Sequence, residues 1–154
     1  MDEGVQESLN QKGEDLTSQD GMEISLLHFT ADRKKVTYSC ANRSVLVVRK
    51  GELSEFTSSP FGIGGTYGKL QKIFNENEID VVPGDMLFIF SDGYADQFGG
   101  EKGRKFSTKS LKNLLTTAAS SKLSEQKNII GGTFERWKGD GKQIDDVLLI
   151  GIRI

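Results

Sequence analysis

The chain has 154 residues and a mass of 17.0 kDa, with 20 basic side chains against 22 acidic ones and a formal net charge of -2. That length supports one domain with its own core. The charge balance gives no basic field for a nucleic-acid backbone, and no apolar run approaches the roughly 18 residues a membrane-spanning helix needs. Cys40 and His28 are the only residues of their kinds. This excludes an internal disulfide and a Cys/His zinc cluster and points to a reducing, cytoplasmic setting. The opening MDEGVQESLN has neither the basic start nor the apolar middle of a signal peptide.

Residues 1–20 carry six carboxylates against a single lysine, Lys12, as an acidic tail does. Val5 and Leu9 at helical spacing allow a short helix there instead. From Met22 the pattern turns to strands. MEISLLHFT, KVTYSC and SVLVVR, separated by the polar turns ADRK and ANR, predict an antiparallel meander over 22–49 closed by Gly51. A short strand over 52–57 and a glycine-rich bend over 59–65 follow. Residues 69–82 predict a long strand or strand pair broken near Asn75.

Val82-Pro83-Gly84-Asp85 is a tight turn into Met86–Ser91, an almost unbroken apolar run expected to be buried on both faces. Two helices come late. Ser107 or Thr108 caps one with Leu111, Leu114, Leu115 and Ala118 on its inner face. The other starts near Ser124, with Glu125 in its first turn, and carries Ile130, Phe134 and Trp137 inward. Gly131 and Gly132 each cost such a helix about 1 kcal/mol relative to alanine, so tight packing or a break is expected there. Asp146–Ile154 predicts a final apolar strand.

Two acidic stretches lie at ends of these apolar strands: Ser91-Asp92-Gly93 after MLFIF, and Asp145-Asp146 before VLLIGIRI. A carboxylate at the rim of an apolar layer loses hydration unless a cation or hydrogen-bond donors meet it. If the strands are antiparallel neighbours, Asp92 and Asp145 share one rim, and their hard oxygens suit Mg2+ or Mn2+ better than zinc. Asp-Gly is also a common turn dipeptide, and adjacent acids commonly occupy solvated turns. A β-rich scaffold with two ordinary turns therefore stays open on spacing alone.

With their flanks these residues resemble a family. GMEISLLHFTADRKKVTYSCANRSVLVVRKGEL, VVPGDMLFIFSDGYADQFG and QIDDVLLIGIRI, in that order, are similar to the later portion of a SpoIIE/RsbU-type domain of the metal-dependent (PPM, type 2C-like) protein serine/threonine phosphatases. The resemblance runs from about Asp20 to Ile154. It implies an α+β fold: part of a four-layer α/β/β/α sandwich with mainly antiparallel sheet and two late helices. It also implies a two-ion Mn2+ or Mg2+ centre and hydrolysis of a phosphoserine or phosphothreonine ester.

By this resemblance Asp92 and Asp145 match the family's two later metal-binding aspartates, with Gly93 and Asp146 as neighbours that orient the site. Asp145 is preferred because alternation along a strand sends adjacent side chains to opposite faces. The family's earlier motifs, an acidic residue on the first strand and a D-x-x-G-H-G sequence, have no counterpart in residues 1–21. The expectation is therefore an acidic tail over 1–20 and the C-terminal part of a phosphatase domain over 21–154, inactive alone and prone to dimerise or exchange strands. In the intact protein the implied partner is a regulatory phosphoprotein such as an anti-sigma-factor antagonist. The rival reading is a degenerate, non-catalytic binding module of the same fold.

Other residues are given structural roles. His28 has no acidic or cysteine partner adjacent and is expected to be a strand residue. Asn42 and Arg43 form a turn. Gly62, Gly64 and Gly65 are not followed by the G-K-[ST] of a phosphate loop. The basic run Gly99–Lys105 is expected to be a solvated connector or a substrate flap.

Overall fold

The computed structural model describes residues 1–11, 20–65 and 71–154. The chain divides into two compact units, Met1–Val45 with Glu55–Val82 and Leu46–Ser54 with Pro83–Ile154. The elements are, in order, α1 (Asp2–Ser8), β1 (Gly21–Met22), β2 (Ile24–Phe29), β3 (Lys35–Ala41), β4 (Ser44–Arg49), β5 (Glu52–Thr57), β6 (Ile63–Gly64), β7 (Asn77–Asp80), β8 (Met86–Phe90), α2 (Gly93–Asp96), β9 (Phe98–Gly99), β10 (Arg104–Lys105), α3 (Thr108–Ala118), α4 (Leu123–Lys138) and β11 (Leu149–Arg153). This is a mixed α+β fold, and every strand pairing described is antiparallel.

In the first unit β3 is central, pairing with β2 from Val36↔Phe29 to Ala41↔Ile24 and with β7 from Lys35↔Asp80 to Tyr38↔Asn77. Alternation buries Val36, Tyr38 and Cys40. Burial also pushes the Cys40 thiol above its usual range, so it is neutral at pH 7. His28 is exposed on the edge strand β2, opposite Thr37. Asn42 adopts φ 52° in the turn, as expected of asparagine, and both Asn42 and Arg43 engage the Glu23 carboxylate.

The first helix is fixed by side chains. Asp2 accepts from the Gly64 N–H at 2.7 Å, and Gln11 accepts from the Gly65 N–H at 2.6 Å. Lys72, only 7% exposed, donates to Asp2 at 2.5 Å and to the Gly64 carbonyl at 2.8 Å. Gly64 has φ 72°, and a methyl there would lie 2.7 Å from Val5 Cγ1. Glycine is needed for both reasons.

In the second unit the sheet order is β11-β8-β4-β5. The expected three-strand meander over 22–49 is therefore corrected: β3 and β4 belong to different sheets. Both are strongly β-favouring, and periodicity says nothing about which neighbour each finds. Lys50 and Gly51, with φ 51° and 84°, make the tight turn from β4 to β5. On one face Leu46, Val48, Met86 and Phe88 join Tyr94, Phe106, Leu111, Leu115, Ile130 and Phe134 in one core. Val47 and Leu87 point the other way and are buried as well, as expected of a strand apolar on both sides.

Ser107 caps α3 by accepting from the Ser110 N–H. At the start of α4, Glu125 accepts from the Lys122 N–H. The helix continues through Gly131 and Gly132 without a break. Tight packing is not the cause, since a methyl on Gly131 would meet nothing within 4 Å. Gly131 borders a cleft of about 620 Å³ that Tyr94, Phe134, Val147 and Leu149 also line. Arg153 at the end of β11 donates to the Ala119 and Ser121 carbonyls and so ties the turn between α3 and α4 to the sheet.

Three further expectations change. The 69–82 stretch yields only β7, with residues 69–70 outside the described set. The last strand begins at Leu149 and not at Asp146. The Gly99–Lys105 run is the β9–β10 hairpin, not a loose connector. A methyl on Gly99 would fall 1.8 Å from the Trp137 carbonyl oxygen, and Gly100 donates to that oxygen at 2.8 Å. No helix among the described residues is long and apolar enough to cross a membrane.

Candidate active site

β8 and β11 pair antiparallel from Met86↔Arg153 to Phe90↔Leu149. The end of β8 therefore lies beside the start of β11, which is the juxtaposition that would bring Asp92 and Asp145 to one rim. Beyond the last ladder pair, the contact continues through side chain and backbone. Ser91 N–H donates to the Leu148 carbonyl at 2.9 Å, Leu148 N–H donates to Ser91 Oγ at 2.9 Å, and Ser91 Oγ donates to the Asp146 carbonyl at 2.8 Å.

Asp92 is the N-cap residue of the one-turn helix α2, its carbonyl accepting from the Asp96 N–H at 2.9 Å. Gly93 follows and sits directly on the other segment. A methyl on Gly93 would lie 2.4 Å from the Asp146 carbonyl oxygen and 3.4 Å from the Asp145 carbonyl carbon. Only glycine allows this approach.

Asp92, Asp145 and Asp146 are all exposed. Asp145 Oδ1 accepts from the Asp146 N–H at 2.7 Å, and its carbonyl accepts from Gln143 Nε2 at 2.8 Å. The alternation used to prefer Asp145 over Asp146 does not operate here. Residues 141–148 form no strand, so the two side chains are not forced onto opposite faces.

Two residues that hold this corner were not singled out by the sequence reading, Ser91 and Gln97. Ser91 stood inside a recognised motif, but its hydroxyl role needed the partner strand. Gln97 is 1% exposed. It gives no sequence signal, since an amide in a polar stretch is ordinarily solvated. Around it the aromatic rings of Tyr94, Phe106, Phe134 and Trp137 pack at centroid distances of 5.0–5.3 Å.

The donor chemistry at the rim, carboxylate oxygens in water, fits a hard divalent cation in kind. It is short in number: among the described residues no group of three or more His, Cys, Asp or Glu side chains is placed to hold a metal ion. The corner fits as part of a centre that needs further oxygens.

The architecture is that of PP2C-type phosphatase domains. The SiaA-PP2C domain of Pseudomonas aeruginosa superposes with a TM-score of 0.82 at 23% identity, covering 99% of this chain and 56% of that one. The Mn-presoaked phosphatase domain of the cell fate determinant SpoIIE from Bacillus subtilis gives 0.63 at 14%, covering 99% and 64%. The Mycobacterium tuberculosis serine/threonine phosphatase PstP/Ppp gives 0.61 at 12%, covering 97% and 66%. The chain thus spans a little over half to two thirds of these solved domains. No curated protein sequence matches it. The family model described as Stage II sporulation protein E (SpoIIE) matches residues 3–154, and the chain belongs to that family. The match begins well before Asp20 and takes in almost all of α1.

Proposed function

We propose that this chain is the later part of a metal-dependent protein serine/threonine phosphatase, in which Asp92 and Asp145 hold Mn2+ or Mg2+ and Asp146 and Gly93 set their surroundings. The observation that carries the reading is the β8–β11 register with the Gly93 contact, which sets an Asp-Gly turn against an Asp-Asp segment at one end of that strand pair. A pair of divalent cations supplies charge neutralisation at a phosphoryl group and acidifies coordinated water. The chain's own part is to present carboxylates on a backbone that Ser91 and Gly93 hold in register. Two or three exposed carboxylates leave Mg2+ mostly hydrated, so the chain alone is expected to turn over negligibly.

The proposed substrate is a phosphoserine or phosphothreonine of a regulatory protein, such as an anti-sigma-factor antagonist, in the cytoplasm. Self-association through β11 belongs to the same proposal. Ile150, 40% exposed on this strand, and Leu148, 59% exposed just before it, lie at the sheet's edge, where a further strand can pair.

Phosphate release from a phosphoserine peptide, with Mn2+ and with chelator, tests the reading for this chain and for any longer product that contains it. Activity unaffected by chelator defeats it. One rival is a degenerate, non-catalytic module of the same fold that binds a phosphoprotein. Tight phosphopeptide binding without Mn2+-dependent release, in any longer product as well, would establish that rival.

A further inference from the structure

The segment 141–148 has no helix or strand of its own, yet it must deliver Asp145 and Asp146 at a defined place. Ser91 holds it at the second acid and beyond, through the Asp146 carbonyl and the Leu148 N–H. Before the pair the hold comes from Gln97. Its Nε2 donates to the Lys142 carbonyl at 2.9 Å and to the Phe98 carbonyl at 3.0 Å, while its Oε1 accepts from the Ile144 N–H at 3.4 Å.

Gln97 is itself held from three sides. Its N–H donates to the Gly93 carbonyl at 3.1 Å, and its carbonyl accepts from Phe106 N–H at 2.9 Å and from Trp137 Nε1 at 3.0 Å. A side chain 1% exposed, using both ends of its amide on the segment just before Asp145, is a rigid mount. A buried amide leaves a costly orphan if either end loses its partner.

We infer that Gln97 is a positioning residue: through Lys142 and Ile144 it fixes the backbone from which Asp145 projects, as Ser91 does from the other side. The role assigned to Asp145 rests on the phosphatase reading. The mounting of the 142–146 segment by Gln97 does not.

The test uses the whole 154-residue chain, with amide exchange and Mn2+-induced broadening of amide resonances followed by NMR. Gln97→Met is expected to speed exchange at Ile144 and Asp146 at least tenfold while α3 is unchanged. It should also raise about tenfold the Mn2+ needed to broaden the whole Asp92–Gly93 and Asp145–Asp146 corner, the size typical of losing an outer-shell partner. Gln97→Glu keeps the volume and the acceptor for Ile144 but not the donor to Lys142, and should fall between.

Exchange and broadening within twofold of wild type would overturn the proposal. So would acceleration spread equally over α3 and α4, loss of fold in both variants included, since that marks a general packing role. Asp145→Asn separates the two layers. If the Mn2+ needed for broadening at 145–146 is unchanged by that substitution, the ligand role of Asp145 fails, while the exchange arms still decide what Gln97 mounts.

Discussion

Replacing Gly93 by alanine puts one methyl where the structure has the Asp146 carbonyl, 2.4 Å away. Ordinary contact needs roughly 1 Å more, and the obstacle is backbone, which cannot rotate aside as a side chain does. If the 145–148 segment stays in place, the overlap costs about 1–3 kcal/mol. If it swings out, the two Ser91 Oγ bonds at 2.8 and 2.9 Å go with it, at about 1 kcal/mol each. Both routes centre on a loss of about 2 kcal/mol. Urea unfolding measures it, with Gly131→Ala as the matched control. That site is open and helical, so the same added methyl should stabilise by about 0.5–1 kcal/mol. A Gly93→Ala protein as stable as wild type, with unchanged amide shifts at Asp145 and Asp146, would refute the close approach on which the site reading depends.

The Arg49–Asp85 pair should respond asymmetrically. Asp85 is 1% exposed and Arg49 44%, with Nε at 2.9 Å and Nη2 at 2.6 Å from the carboxylate. Arg49→Met removes the cation from a buried carboxylate and should cost about 3 kcal/mol, more than Asp85→Ala, which leaves a guanidinium exposed enough to hydrate; equal losses in chemical denaturation would contradict this. Tyr94, which donates to the Ile130 carbonyl at 2.7 Å, has its hydroxyl pKa pushed up to about 12 by burial. A raised folded pKa means stability fully present below about pH 10 and lost as pH rises through about 12, by on the order of 2 kcal/mol. In Tyr94→Phe this part of the alkaline slope should vanish, as pH-dependent thermal melts will show. Lys72→Met strips Asp2 and the Gly64 carbonyl of a nearly buried donor. It should cost about 2 kcal/mol and raise amide exchange in α1; protection of α1 at wild-type levels would show that the helix has another anchor.

Much of this was legible in the chain itself, for reasons that are local. Five apolar, β-favouring residues from Met86 to Phe90 read as a strand, and the structure buries Met86, Leu87 and Phe88 and half-buries Ile89 and Phe90. The caps at Ser107 and Glu125 announce helices because a side chain there satisfies backbone donors a few residues away. Gly51 and Gly84, at φ 84° and 96°, mark their turns because glycine enters that region freely. The motifs around Asp92 and Asp145 likewise marked the ends of the right strands and the right family.

Partnership between distant segments was not legible. That β3 and β4 part company into different sheets depends on β7 and β8 arriving from later in the chain, and no period records it. Nor does a sequence show that Gly93 touches Asp146, that Trp137 seats Gly99, or that a glutamine in a polar run is buried under a loop. Periodicity and turn chemistry act over about four residues, and they located the longer strands, the two late helices and the acidic candidates. The register between β8 and β11, together with the amide and hydroxyl bonds that mount the loop before β11, is a long-range packing outcome, and only the folded chain decides it.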